Sequence, residues 1–203
     1  ASDVYKRQTV ASFDVFDKHI LTGHENGKVA LYAHDTEEGE SGIDAELEIH
    51  QVKAHTETVT DLQLGWDGTY IVTSSKDKTA HIIDASTLDV IKTYATDTPL
   101  NSAISLPTRP YVVMGGGQEA MSVTTTSARQ GKFESRFWHK IFEEECARLP
   151  GHFGPINTLA VHPTGNAYAS GGEDGYVRIN WFDESFFKSR PYGPDFEIAN
   201  EDQ

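Results

Sequence analysis

The sequence predicts an all-β fold built from repeated units of four short strands. The first observation is a spacing: Asp77 follows His55 by 22 residues, and Asp174 follows His152 by the same interval. The second is that turn residues divide each unit into short segments rich in β-branched and aromatic residues, which is typical of strands joined by tight turns. Such a fixed internal frame indicates stacked units that cannot bury their apolar faces alone.

Two weaker copies extend the frame along the chain. In the third unit, Thr96 takes the histidine position and Gln118 the aspartate position; in the first unit, Asn26 takes the aspartate position. The step from His55 to Thr96 agrees with the ~40–45-residue period of a propeller blade, which contains four strands. We therefore expect four blade-like units, the first of them incomplete, at residues 9–44, 45–86, 87–131 and 132–183.

The recurring polar residues are the first candidate site. A catalytic group is rarely duplicated at the same place in successive units, whereas a buried hydrogen-bonded network needs the same residue types in every unit. A Ser-His-Asp triad is the alternative, but the sequence contains no G-x-S-x-G elbow. The expected network residues are His55, Thr73, Asp77, His152, Ser170 and Asp174.

These residues resemble the WD-repeat family. The matching features in the last unit are Gly151-His152, the hydroxyl of Ser170 and Asp174-Gly175. The resemblance implies a β-propeller whose blades each hold a buried network of His, Ser or Thr, and Asp, completed in that family by a tryptophan. This sequence departs from the Trp-Asp pair, since Ile83-Asp84 keeps only the aspartate and Asn180-Trp181 keeps neither in place. We therefore expect networks of three members.

A longer block resembles one family of WD-repeat proteins, the i subunits of eukaryotic translation initiation factor 3. The block comprises MGGGQEAMSVTTTS (Met114–Ser127), GKFESRFWHKIFEEE (Gly131–Glu145), GHFGPINTLAVHPTG and SGGEDGYVRI. The resemblance runs from about Thr9 to Phe186, and residues 1–8 do not match. It implies a seven-bladed ring of which this chain, an incomplete fragment, supplies the last four blades.

The resemblance also implies a function. The chain is expected to be a scaffold subunit without catalytic activity, bound to the b and g subunits of the factor and, through the complex, to the small ribosomal subunit in the cytoplasm. We expect no cofactor and no metal. A WD-repeat adaptor of another complex is the alternative, but it would not be expected to carry the block that begins at Met114. An enzyme would need acids, bases or metal ligands converging on a central channel, and the sequence offers no such set.

Composition narrows the function classes further. The 203 residues carry 31 Asp and Glu against 17 Lys and Arg, for a net charge of −14. Nucleic-acid binders replace phosphate counterions with basic side chains, so we expect no direct nucleic-acid binding. A basic partner segment suits this charge, and the alternative is that the acid only keeps the surface soluble. No apolar run reaches the ~18 residues of a membrane span, and Cys146, the only cysteine, excludes an intrachain disulfide.

Two acidic stretches stand outside the repeats. Asp35–Glu48 is expected to be a solvated loop. Residues 184–203 are expected to form an acidic and mostly disordered tail, because the acidic stretch from Gly193 has Pro191 and Pro194 nearby.

Candidate partner-binding residues lie outside the network. The step from Thr96 to His152 is longer than the regular step, and extra length in a repeat array usually maps to an outer loop or extended hairpin. We expect it at Ala128–Pro150, where aromatic and basic residues of the kind that dominate interface energies are concentrated. The alternative is that these aromatic residues pack on the adjoining blade. The candidates are Arg136, Phe137, Trp138 and Phe142 in this segment, and Trp66 in a turn of the second unit.

Overall fold

A computed structural model describes residues 7–33, 48–117 and 133–189 of the chain. The prediction of an all-β fold is confirmed, since these residues form four small antiparallel sheets. The first sheet contains β1 (Gln8–Phe13), β2 (His19–His24), β3 (Lys28–Ala33) and β4 (Glu48–Lys53), and the second contains β5 (Val59–Leu64), β6 (Tyr70–Ser75), β7 (Thr79–Asp84) and β8 (Val90–Ala95). The third contains β9 (Leu100–Ser105), β10 (Tyr111–Gly116), β11 (Phe133–His139) and β12 (Glu145–His152), and the fourth contains β13 (Ile156–Val161), β14 (Ala167–Gly172) and β15 (Val177–Trp181), followed by helix α1 (Glu184–Lys188).

Within each sheet, strands that follow one another in the chain are neighbours. Because the strands alternate in direction, the turns between first and second strands and between third and fourth strands lie at one end of the sheets, here called the hairpin end. The turns between second and third strands lie at the opposite end, together with the connections from one sheet to the next. That end is here called the connection end.

The completeness of the units differs from expectation at both ends of the series. The first unit, expected to be incomplete, forms a four-stranded sheet, because β1 pairs with β2 although the unit has no leading histidine. The fourth sheet is the one with three strands among the described residues. These parts of the chain form a series of sheets in which no closed ring is seen, so the seven-bladed ring and the fragment that it implies stay predictions.

The extra length of the third unit is not where the sequence placed it. Phe133–His139 and Glu145–His152 are regular strands that pair with each other and, through β11, with β10. Sixteen residues, 117–132, separate β10 from β11 in the chain, where only residues 76–78 separate β6 from β7. The placement of an outer extension at Ala128–Pro150 was therefore wrong for the described part of that segment, and residues 118–132 lie outside the described part of the chain.

Adjacent sheets pack face to face through apolar layers, as units that cannot bury their faces alone must do. The layer between the first and second sheets is formed by Leu21, Val29, Leu31, Val59, Ile71 and Ile83. The next layer is formed by Val72, Ile82, Tyr94, Leu100, Val112 and Met114, and the last by Ile104, Val113, Phe137, Ile156, Leu159 and Tyr168.

The first strands of successive sheets are also joined by a hydrogen bond that recurs at each junction. The frame position is the place of His55 in the second unit and the equivalent place in the others, residues 4, 96 and 152. In every case the donor is the side chain five residues after one frame position. The acceptor is the carbonyl oxygen four residues after the frame position of the following unit. The donor and acceptor pairs are Thr9 and Val59, Thr60 and Leu100, and Asn101 and Ile156. These bonds fix the distance between first strands, which the apolar layers alone would leave adjustable.

The segment after the last sheet begins with structure. Residues Glu184–Lys188, the start of the tail that was expected to be disordered, form α1, and the Asp183 side chain caps it by accepting the N–H of Phe186. Arg109 holds the helix in place, since it donates to the carbonyl of Ser189 at 2.9 Å and its guanidinium stacks on the Phe186 ring. Residues 190–203, like most of the acidic stretch Asp35–Glu48, lie outside the described residues. Within the described ranges, no helix has the length and apolar character to span a membrane.

Candidate functional site

In the second sheet, the predicted network residues are joined by hydrogen bonds at the connection end. His55 is only 2% exposed; its Nδ1 lies 3.1 Å from Asp77 Oδ2, and its Nε2 lies 2.9 Å from Thr73 Oγ1. Asp77 also accepts the backbone N–H groups of Thr56 and Thr79. The network therefore ties the connection before β5 to the turn between β6 and β7.

The fourth sheet repeats this geometry with serine in place of threonine. His152 Nδ1 lies 3.0 Å from Asp174 Oδ1, and its Nε2 lies 2.8 Å from Ser170 Oγ. The order of contacts is that of a Ser-His-Asp triad. However, Ser170 is only 2% exposed, and Thr73 holds the same position in the second sheet. A buried hydroxyl cannot reach a substrate, so the arrangement favours a network that fixes the loops at this end.

The environment of the second network opposes charge on its histidines. Burial lowers the pKa of His55 to about 4, and the ring of His81, centred 4.2 Å away, acts in the same direction against the raising effect of Asp77. Burial also lowers the pKa of His81. For Asp77, burial raises the pKa, but hydrogen bonds from Thr79 and Thr56 outweigh this effect and bring it to about 2. Near neutral pH the network therefore pairs neutral imidazoles with a carboxylate.

This arrangement predicts a loss of stability in weak acid. An unfolded histidine takes up its proton near pH 6.5, whereas folded His55 does so only near pH 4. The contribution of His55 to stability is therefore complete above pH 6.5 and is lost as the pH falls towards 4. We expect the free energy of unfolding, measured by urea denaturation, to fall by about 2–3 kcal/mol over this interval. An equal fall in a His55→Gln variant would contradict the assignment to His55.

The third sheet fills the network position differently. Buried Met114 stands where the second sheet has Thr73, and Arg136 faces Met114 across the β10–β11 ladder as His81 faces Thr73. The guanidinium of Arg136 forms an ion pair with Asp97, next to the residue that replaces the histidine. The third sheet thus has an arginine–carboxylate ion pair where the second sheet has the hydrogen bonds of His55.

Three of the five candidate partner-binding residues contribute to packing. Arg136 is 6% exposed and Phe137 is 7% exposed; the Phe137 ring meets that of Tyr168 edge to face between the third and fourth sheets. Trp138 is half-buried, and its ring centre lies 6.1 Å from that of Tyr94. The structure thus places these side chains in or beside the sheet interior, and their contact with a partner stays a prediction.

The other two candidates, Trp66 and Phe142, are exposed and lie at the hairpin end. Trp66 is 71% exposed in the β5–β6 turn, and Phe142 is 50% exposed in the β11–β12 turn. The β1–β2 turn adds Val15 and Phe16, which are 53% and 78% exposed. This turn touches that of Trp66, because a Cβ atom placed on Gly68 would lie 1.8 Å from Val15 Cγ2. Sequence reasoning missed Val15 and Phe16, although aligning the first turn with that of Trp66 would have found them.

The exposed apolar side chains of these hairpin-end turns are here called the contact face, which is defined by Val15, Phe16, Trp66, Ile141 and Phe142. The hairpin-end turns carry acidic residues at Asp14, Asp17, Asp67, Asp89, Glu143 and Glu144, and basic residues at Lys18, Arg109 and Lys140. Two of the basic groups are engaged, Lys140 with the ring of Tyr70 and Arg109 with α1. The surplus of carboxylates gives this end a negative field that favours a positively charged partner.

A cavity of about 440 Å³ lies between β12, β15 and α1, and its walls include the rings of Phe137, Tyr168, Trp181 and Phe186. These walls gather no set of acids and bases suited to proton transfer. Among the described residues, no three His, Cys, Asp or Glu side chains are grouped so that they could hold a metal ion.

Comparison with known proteins gives one consistent result. A family model described as EIF3I matches residues 2–191. A relative from Mycosarcoma maydis, named eukaryotic translation initiation factor 3 subunit I, is 68% identical over 197 residues, which are 97% of this chain and 57% of the relative. Relatives of the same name from Sclerotinia sclerotiorum and Aspergillus oryzae are 55% and 53% identical over 181 residues, covering 89% of this chain and 52% of each relative. The chain therefore spans about half the length of the curated relatives it matches.

Proposed function

Because the chain belongs to the family of subunit I of eukaryotic translation initiation factor 3, we propose that it is a non-enzymatic scaffold subunit of that factor. It binds the b and g subunits and supports assembly of the initiation complex on the small ribosomal subunit. Its place of action is the cytoplasm, and its one free thiol, that of Cys146, suits a reducing compartment. The four sheets are blades of a WD-repeat β-propeller, which is a rigid platform for partners.

The observation that carries the proposal is the exposed contact face. Large apolar side chains on a soluble surface mark interaction sites when they are contiguous and rimmed by polar groups. Here the turn of Trp66 touches the turn of Val15 and Phe16, and acidic residues such as Asp67 and Asp17 flank them. The partner segment that fits is amphipathic, with aromatic or aliphatic side chains on one side and Lys or Arg at the edges.

The buried networks support the same function in a different way. By fixing the connections between sheets, the His55 and His152 networks hold the sheets in a constant relation. A partner that contacts turns from two sheets then meets a pre-formed surface and loses less entropy on binding. The net charge of −14 argues against direct nucleic-acid contact, so the ribosome is reached through the other subunits.

A WD-repeat adaptor of another complex is the second candidate, and it shares the fold and the networks. The family match over residues 2–191 favours the initiation factor. The two functions separate in a co-purification experiment on the tagged protein, followed by mass spectrometry. Recovery of other subunits of initiation factor 3 supports the scaffold, and recovery of an unrelated complex supports the adaptor.

The contact face is tested by a Trp66→Ala substitution. A tryptophan that becomes buried when a partner binds is a typical hot spot. We therefore expect the affinity for a purified complex of the b and g subunits to fall about 30-fold, or about 2 kcal/mol. Phe153→Ala is the control, since Phe153 is 85% exposed between β12 and β13, at the connection end and thus opposite the contact face. Isothermal titration calorimetry measures the affinity of both variants for this complex. Equal affinities for the wild type and Trp66→Ala would exclude this face as the binding site.

A further inference from the structure

The turn between β11 and β12, residues 140–144, is here called the tip. It carries two exposed apolar side chains, Ile141 and Phe142, which are 49% and 50% exposed. The turn closes through the backbone, because the N–H of His139 donates to Glu144 and the N–H of Glu143 donates back to His139. Glu143 adopts a positive φ of 59°, which is uncommon for a residue with a side chain and marks a tightly defined turn.

A buried imidazole organises this turn from below. His139 is 3% exposed, and its Nδ1 accepts the backbone N–H groups of Ile141 and Phe142, each at 3.2 Å. The Phe142 ring stacks on the imidazole, with centroids 4.5 Å apart and an interplanar angle of 24°. On another side, the ring of Tyr111 meets the imidazole edge to face at 5.7 Å. The conformation that exposes Phe142 therefore depends directly on the His139 ring.

The second sheet contains the same device built from a different residue. Asp84 stands opposite Tyr70 in the β6–β7 ladder, as His139 stands opposite Tyr111 in the β10–β11 ladder. The Asp84 carboxylate accepts the N–H groups two and three residues ahead, those of Ser86 at 2.8 Å and Thr87 at 2.9 Å. An acceptor before the turn is thus a shared requirement, and an imidazole meets it in the third sheet.

The tip is also fixed to the neighbouring sheet. The buried hydroxyl of Tyr94 donates to the carbonyl of Lys140 at 2.8 Å, and Lys92 donates to the carbonyl of Ile141 at 3.0 Å. The ammonium group of Lys140 lies over the ring of Tyr70 at 5.1 Å. The same ring leaves no room for a Cβ at Gly65, the residue before Trp66. One aromatic side chain thus connects the tip to the turn that carries Trp66.

We propose that His139 is a positioning residue for partner binding. Its Nδ1 atom, which carries no proton, accepts two backbone hydrogen bonds and so holds Ile141 and Phe142 in the contact face. This inference rests on the proposed function. The occupant is an apolar side chain of a basic segment from another subunit, because acidic side chains outnumber basic ones in the hairpin-end turns around Phe142. A backbone N–H cannot donate to a ring nitrogen that already carries a proton, so protonation at Nδ1 removes both hydrogen bonds.

Titratable and charged residues lie on the elements around His139. Tyr111 lies on β10, Cys146 on β12, and Lys140, Glu143 and Glu144 on the tip itself. Arg109 stands two residues before Tyr111 and is occupied by its contacts with α1. Glu143 forms an ion pair with Lys92 at 2.9 Å.

The test uses two substitutions at His139. In His139→Ala both acceptor bonds are lost, and we expect affinity for the complex of b and g subunits to fall about tenfold. In His139→Asn the side-chain carbonyl can accept the same N–H groups, as Asp84 does in the second sheet, and affinity should return to within about twofold of the wild type.

A second measurement is independent of any partner. Amide hydrogen exchange at Ile141 and Phe142 should accelerate at least about tenfold in His139→Ala and remain slow in His139→Asn. Wild-type exchange rates in the alanine variant, or fast exchange in the asparagine variant, would overturn the positioning role. If Trp66→Ala loses binding while His139→Ala keeps it, the inference fails and the proposed function stands. If Trp66→Ala also keeps wild-type affinity, the contact face itself is excluded.

Discussion

Replacing Phe137 with alanine is expected to lower the free energy of unfolding by about 3–5 kcal/mol. Phe137 is 7% exposed and lies in the apolar layer between the third and fourth sheets. Its ring packs edge to face against those of Tyr168 at 5.6 Å and Phe182 at 6.2 Å. The variant loses the transfer free energy of a phenyl group, both aromatic contacts and the filling of a space that the two sheets cannot close.

Urea denaturation of the full chain measures this effect. The matched control is Phe153→Ala, because Phe153 is 85% exposed, and its loss should change the free energy of unfolding by no more than about 0.5 kcal/mol. The comparison also bears on partner binding. If Phe137→Ala leaves stability near the wild-type value but abolishes binding of the other subunits, the side chain acts at an interface and its interior position is contradicted.

The second large effect is expected for His55→Ala, at about 2–4 kcal/mol. The substitution deprives Asp77, whose side chain is 8% exposed, and the buried Thr73 hydroxyl of their imidazole partner. A buried polar group left without a partner costs about 1–3 kcal/mol, so the loss exceeds that of one hydrogen bond. The effect should be largest near neutral pH, where the network is intact.

His162→Ala is the control for this variant. His162 is exposed in the β13–β14 turn, where its Nδ1 bonds only with the neighbouring Thr164. Its removal should cost less than about 1 kcal/mol when both proteins are melted in parallel. Equal losses for the two histidines would show that the buried network adds little to stability. A substitution of Asp77 combined with His55→Ala should cost less than the sum of the single losses, because the two side chains share one network.

The recurring polar residues made the repeat visible in the sequence, because a buried network tolerates few substitutes at its histidine and aspartate positions. The all-β fold followed from that frame and from the turn residues. The third sheet was harder to place, since Thr96 replaces the histidine of the frame and Met114 replaces the hydroxyl residue. In addition, residues 117–132 lie between β10 and β11 in the chain, so Arg136 does not fall at the spacing that His81 has in the second unit. Its equivalence with His81 appears only in the strand pairing.

The candidate contact residues show a second limit of sequence reasoning. Phe137 and Phe142 are the same residue type in one segment, yet one is buried between sheets and the other is exposed in a turn. Alternation distinguishes the two faces of a strand but does not tell which face is covered by another sheet. His139 was not selected from the sequence, because accepting two backbone N–H groups leaves no pattern that differs from an ordinary histidine.

The hydrogen bonds between first strands have a consequence for how such a chain diverges. Each donor is one side chain, Thr9, Thr60 or Asn101, and each acceptor is a backbone carbonyl, which every residue type supplies. Substitution at an acceptor position therefore leaves the junction intact, and a copied or transplanted sheet arrives with a usable acceptor. For this recurring bond, selection needs to preserve only one small polar residue per sheet, so gene duplication and recombination can rearrange whole sheets and still form it at each junction.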